Sequence, residues 1–144
     1  MNNATRQPHT VIHDSRGFLR SNKGFYIGDL SYVLSNHFYC GVLGDELDYP
    51  TGIIHISGGI CLGTAYTACG DGVFVDNHGN RYCVDSGMLG IVPLELVKDD
   101  RSDVGLIVPT AGVAWFSHNY DGVFDFYVPP HTHIHLDTNE PVGR

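Results

Sequence analysis

The sequence predicts a mainly β protein of the β-rich α+β kind: an antiparallel sandwich or barrel with one short helix near residues 35–47. Three observations predict it. Eighteen glycines are spread over 144 residues, and they interrupt nearly every stretch long enough to be a helix. Short runs rich in Val, Ile, Phe and Tyr recur between turn residues. Two turn sequences, "DNHGN" (76–80) and "NYDG" (119–122), join neighbouring runs in the way hairpin loops do.

Residues 1–23 hold few apolar side chains and read as an extended arm with one short strand at 10–13. "GFYIGDLSYVL" (24–34) reads as strand, kink at Gly28-Asp29, strand. In "SNHFYCGVLGDEL" (35–47), Ser35 is placed to cap a helix. Phe38, Val42 and Leu43 fall at i, i+4 and i+5, and Gly44 ends the turn. From Pro50 onward the chain reads as strands. "GIIHISGGICLGTAYTA" (52–68) carries too many glycines for a helix. "VFV" and "RYCV" flank the 76–80 loop as a hairpin. Pro93 in "GMLGIVPLELV" (87–97) predicts an edge strand or a bulge, because proline cannot donate to a ladder. "VGLIVPTAGVAWFSH" (104–118) and "GVFDFYV" (122–128) complete the antiparallel series. One domain over 24–144 is expected, preceded by the arm. A chain of this length buries roughly 70% of its unfolded surface, enough to fold without disulfides or metal.

Charge divides the chain. Residues 1–23 carry four basic groups and one acid, a net of +3; residues 24–144 carry four basic and fifteen acidic groups, a net of −11. So acidic a body repels phosphate backbones and argues against nucleic-acid binding. The basic arm suits an acidic surface, its own or a neighbour's, and a homodimer with the 1–23 arm crossing to its partner is one expectation. No apolar run approaches the ~20 residues of a membrane helix, and the first residues lack an apolar signal core. The expected address is cytoplasmic. Cys40, Cys61, Cys69 and Cys83 form no CxxC pair and are expected as small, mostly core residues.

The candidate sites are few. In "VPPHTHIHLDTNE" (128–140), alternation along a strand puts His131, His133 and His135 on one face, with Ile134 and Leu136 turned to the core. Neighbouring histidines then lie about 6.6 Å apart along the strand, so two can close on one metal. Three on a straight strand span about 13 Å. These histidines with Glu140 are the candidate ligands for a divalent transition metal; the alternative is an edge strand with histidines on its wet face. His133, His135 and Glu140 also spell H-x-H-x4-E, which resembles the first metal motif of the cupin family, where two histidines and a glutamate hold a metal inside a β-barrel. The resemblance covers about a dozen residues. Asp29, Asp71 and Asp85 follow or precede glycines at turns. They are candidates for a ligand-binding carboxylate cluster, against the simpler role of capping turns. No nucleophile elbow, phosphate loop or complete catalytic constellation is present, so no catalytic residue is assigned.

"YIGDLSYVL" (26–34) and "GDGVFVDNHGNRYCVDSGMLGIVPLEL" (70–96) resemble a group of small, mostly uncharacterised bacteriophage and bacterial proteins. That group shows a YIGD-x-x-YV opening and a GDG-x-x-x-D-x-x-G-x-x-Y-x-VDSG hairpin. The likeness covers about a third of the chain and departs at Leu30-Ser31, where the group has Pro-Cys. It implies a phage or bacterial setting, with the host cytoplasm as the address, and no activity. The sequence therefore points to a non-catalytic accessory binding protein, without cofactor, that engages a host or self protein through its sheet surface or acidic face. The alternative is a metal-dependent or carboxylate-based enzyme or small-ligand binder.

Overall fold

A computed structural model describes residues 9–12, 15–56 and 60–142. It is mainly β, with three antiparallel sheets and no closed barrel, in a sandwich-like arrangement. The strands are β1 (His9–Ile12), β2 (Arg16–Ser21), β3 (Phe25–Gly28), β4 (Gly52–Ile56), β5 (Ile60–Tyr66), β6 (Gly72–Val75), β7 (Arg81–Val84), β8 (Met88–Pro93), β9 (Leu106–Val108), β10 (Gly112–His118), β11 (Val123–Val128) and β12 (Thr132–Asp137). Six of them form one sheet in the order β1-β4-β5-β8-β3-β9. Four form a second in the order β12-β11-β10-β2, and β6-β7 is a separate hairpin.

The two-residue alternation of strands sorts side chains between layers. Phe25, Ile27, Ile53, Leu89 and Ile91 leave the inner face of the six-stranded sheet. They meet Leu19, Phe116, Phe124, Phe126, Ile134 and Leu136 from the four-stranded sheet in one buried cluster. The alternate residues Tyr26, Ile54, Leu62 and Val92 face the other way and pack under Leu30, Val33, Leu34 and Leu43. The last four come from a 3-10 turn (Leu30–Tyr32) with the residues after it, and from a helical segment (His37–Glu46) wound as a π-helix. Gly63 lets the sheets approach: a Cβ there would lie 2.6 Å from the Phe116 ring.

The short helix is where the sequence puts it, and the Ser35 hydroxyl accepts the Phe38 N–H at 3.1 Å. The second strand expected after Gly28-Asp29 is a 3-10 turn instead, because the Asp29 carboxylate accepts the Ser31 N–H and closes the chain into a turn. Of the expected arm 1–23, residues 1–8 and 13–14 lie outside the described residues, and residues 9–12 and 16–21 form strands β1 and β2. β1 pairs with β4 and β2 with β10, so these strands form one edge of each of the two larger sheets. Pro93 ends β8, a central strand between β5 and β3; its missing N–H falls at the strand's last residue, where it costs little. The cysteines are free thiols, and Cys40 and Cys69 are exposed rather than in the core.

The β6-β7 hairpin closes the sandwich on one side. Phe74, Tyr82 and Val84 enter the main core. Its turn is tied by Asp76, whose carboxylate accepts the backbone N–H groups of His78 and Asn80, the Asn80 amide and the Tyr82 hydroxyl. The turn docks on the outer edge of β12: Asn77 N–H donates to the His135 carbonyl, and its side chain bonds His133 O and His135 N. An edge that would otherwise expose unpaired backbone groups is thereby covered.

Candidate binding face and metal-ligand cluster

Among the described residues, the four-stranded sheet is covered on one face only. Its strands alternate buried and open residues, as in the RGFLRS segment of β2, where Leu19 and Ser21 are buried and Arg16, Phe18 and Arg20 are exposed. Cross-strand register aligns the outward residues into rows. Phe18 lies opposite Trp115, Trp115 opposite Tyr127, and Tyr127 opposite His133, so an aromatic row crosses all four strands. Phe18 meets Trp115 edge to face at 4.6 Å, and the Tyr127 and His133 rings stack at 4.3 Å. Phe18 is 66% exposed and Tyr127 48%. The neighbouring row runs Arg16, Ser117, Asp125, His135. At one end of the aromatic row lies a cleft of about 460 Å³ lined by Val113, Tyr127, Pro129, Pro130, His131 and His133.

Asp125 joins the two rows. Its Oδ1 accepts from His133 Nε2 at 2.7 Å and from His135 Nδ1 at 2.8 Å. Burial pushes this carboxyl upward, but the imidazoles of His135 and His133 outweigh it and hold Asp125 below the ordinary carboxylate range. One donor atom from each of the three residues lies within 4.8 Å of the others. The scaffold is stiff: β11 pairs with β12 on one side, and Asn77 and His78 hold the β12 backbone on the other, with His78 Nε2 2.8 Å from the His133 carbonyl.

Of the predicted metal ligands, the structure brings His133 and His135 together on the solvent side of β12, with Ile134 and Leu136 buried behind them. His131 sits in the turn before β12 and lines the cleft, outside the converging group. Glu140 is exposed in the turn after β12, and Asp125 occupies the carboxylate role in its place. The histidines lie on an edge strand of an open sheet, not inside a barrel as the cupin-like spacing implies.

Asp29 is fully buried. Its Oδ1 accepts from Ser31 N, Ser31 Oγ and Ser86 Oγ, and its Oδ2 from Asp85 N and Ser86 N, at 2.7–3.0 Å. Asp85 thus meets Asp29 through its backbone. Asp71 is exposed in the loop between β5 and β6. No group of three potential metal ligands among the described residues includes any of the three. The same knot joins the stretches "YIGD" (26–29) and "VDSG" (84–87). A second hollow of about 250 Å³, lined by Tyr39, Tyr49, Tyr66, Ser86 and Met88, lies beside it.

No protein-family model matches the chain, and no curated protein or solved structure matches it either. The site is therefore read from its own geometry. Phe18, Trp115, Tyr127 and Asp125 were not singled out by sequence. Alternation in β2, β10 and β11 marks them as outward-facing, but the register that aligns them across strands distant in sequence is a tertiary fact. No helix among the described residues is long and apolar enough to cross a membrane.

Proposed function

We propose that this protein is a non-catalytic binding protein that engages a host or self protein through the outer face of its four-stranded sheet. The observation that carries the reading is the aromatic row Phe18, Trp115, Tyr127, His133, flanked by Arg16 and Arg20 on β2 and by Asp125 on β11 and Asp137 on β12. Single exposed apolar residues are ordinary on a surface, but a contiguous row beside a cleft is not. Aromatic and arginine side chains dominate protein interfaces because they bury large areas with few rotatable bonds. The mixed charge of the face suits a protein better than a polyanion. Phe18, Arg16 and Arg20 belong to residues 1–23, so a dimer through that segment uses this same face. The resemblance to phage and bacterial proteins makes the partner a protein of the host cytoplasm or a second copy.

The test compares the wild type with the double variant Phe18→Ser/Tyr127→Ser. Affinity capture from bacterial lysate with identification by mass spectrometry reads the host partner, and light scattering after size exclusion reads self-association. A discrete partner or a dimer that the double variant loses supports the proposal. No partner and no dimer, or binding that the variant leaves unchanged, refutes it.

A further inference from the structure

We infer that Asp125, His133 and His135 form a binding site for one divalent transition-metal ion of the zinc class on the open face of the sheet. This goes beyond the protein-binding reading and does not depend on it. Two imidazole nitrogens and one carboxylate oxygen are the donor set that borderline ions such as Zn²⁺ accept, and three protein ligands leave a fourth position open. Calcium and magnesium prefer more oxygen donors than this site offers.

The three donors already converge, with Asp125 Oδ1 at 2.7 and 2.8 Å from the two ring nitrogens. In the metal-free arrangement both nitrogens carry protons aimed at one oxygen. A divalent ion takes the place of those two hydrogen bonds, each neutral imidazole carrying its proton on the ring nitrogen that does not face the ion. With zinc bonds of about 2.0–2.1 Å, tetrahedral donors stand about 3.3 Å apart, so each ring nitrogen moves off Asp125 Oδ1 by roughly half an ångström. Side-chain rotation supplies that movement without disturbing the backbone. The His135 backbone is held by its β11 partner Asp125 and by Asn77, and that of His133 by Asn77, so the ligands are positioned before the ion arrives. The Tyr127 ring stacked on His133 fixes that imidazole's plane. The fourth position faces solvent beside the aromatic row, where a water or a partner's side chain completes the shell.

The test uses the full chain without an affinity tag, stripped with chelator and titrated calorimetrically with Zn²⁺. One ion per chain is expected, with Asp125→Asn, His133→Gln and His135→Gln each weakening binding at least about tenfold. His131→Gln, four residues upstream of His135 but outside the cluster, is expected to change it less than about twofold. Co²⁺ should give the visible absorption of low-coordinate nitrogen and oxygen ligation, and Ca²⁺ and Mg²⁺ should not compete. Circular dichroism checks each fold. His135→Gln carries the test if a buried-side variant fails to fold, because His135 is exposed. No one-to-one binding at micromolar Zn²⁺ overturns the inference. So does equal loss on His131→Gln, which marks ordinary attraction to surface imidazoles.

Discussion

The two large sheets share a core but differ in what covers their other faces. The six-stranded sheet is sandwiched: its outer residues Tyr26, Ile54, Leu62 and Val92 lie under the 30–47 segment and are almost completely buried. The four-stranded sheet presents Phe18, Trp115, Tyr127 and Asp125 to solvent or to half-open surroundings. The difference extends to the carboxylates. Asp29 is buried, and its five donors are backbone N–H and serine hydroxyl groups that cannot be exchanged for a ligand without unfolding the knot. Asp125 is half-open, and its partners are two histidines, a residue type whose ring nitrogens can exchange a hydrogen bond for a metal bond. An acid of this protein is structural or available according to the mobility and chemistry of its donors, not according to its place beside a glycine.

Asp29→Ala tests the covered side most severely. It leaves the Ser86 and Asp85 donors without their acceptor and unties residues 29–31 from 85–86. Hydrogen bonds to a charged group are worth about 1.5–3 kcal/mol each, and loss of a buried network belongs among the largest single-residue effects. A destabilisation of about 3 kcal/mol or more is expected from chemical denaturation. A loss below about 1 kcal/mol would mean that Asp29 is not the structural member of the pair.

His118 gives a smaller effect with a pH signature. The ring points into the core at the end of β10, between Phe116 and Phe124, and its Nε2 has no hydrogen-bond partner among the described residues. Burial pushes its pKa below the ordinary histidine value, more than the Asn119 carbonyl raises it. The unfolded chain takes up a proton as pH falls through about 6.5, and the folded ring resists it. Stability contributed by the neutral ring is therefore complete above that pH and declines from about 6.5 down to the depressed folded value. His118→Phe keeps a ring in the aromatic cluster and removes the proton demand. The variant is expected to flatten the stability profile between about pH 6.5 and 5 and to gain about 1 kcal/mol at the acidic end. Thermal melts at pH 8, 6.5 and 5 read this; an unchanged pH slope would place the titrating group elsewhere.

Much of the covered architecture was legible in the sequence. The glycine punctuation, the "DNHGN" and "NYDG" turns and the helix after Ser35 all correspond to observed elements, because each depends on local backbone chemistry. The alternation in "THIHLD" placed His133 and His135 on the wet side for the same reason. The local signals that fail are those a distant partner overrides. Asp29 looked like any turn acid until Ser86, 57 residues away, supplied its donors. Asp125, between Phe124 and Phe126, carried no mark of its own. It becomes a site residue when strand pairing sets it opposite His135. The central place of β8 despite Pro93 was hidden likewise, since strand order is not a local property.

The bare face should respond least in stability, and that small effect is informative. Phe18 is 66% exposed and lies on an edge strand, so Phe18→Ser removes little buried area beyond its edge contact with Trp115. Surface substitutions away from caps and networks usually change stability by less than about 0.5 kcal/mol, and an aromatic pair adds about 0.5–1.5 kcal/mol where it is well packed. A loss within about 1 kcal/mol by denaturant titration is expected. A much larger loss would show that Phe18 and Trp115 hold β2 to β10, making the row a packing feature of the edge. A small loss would leave the energetics of folding without a reason for four aligned rings on an open sheet, and the selective pressure for them would then lie in what they bind.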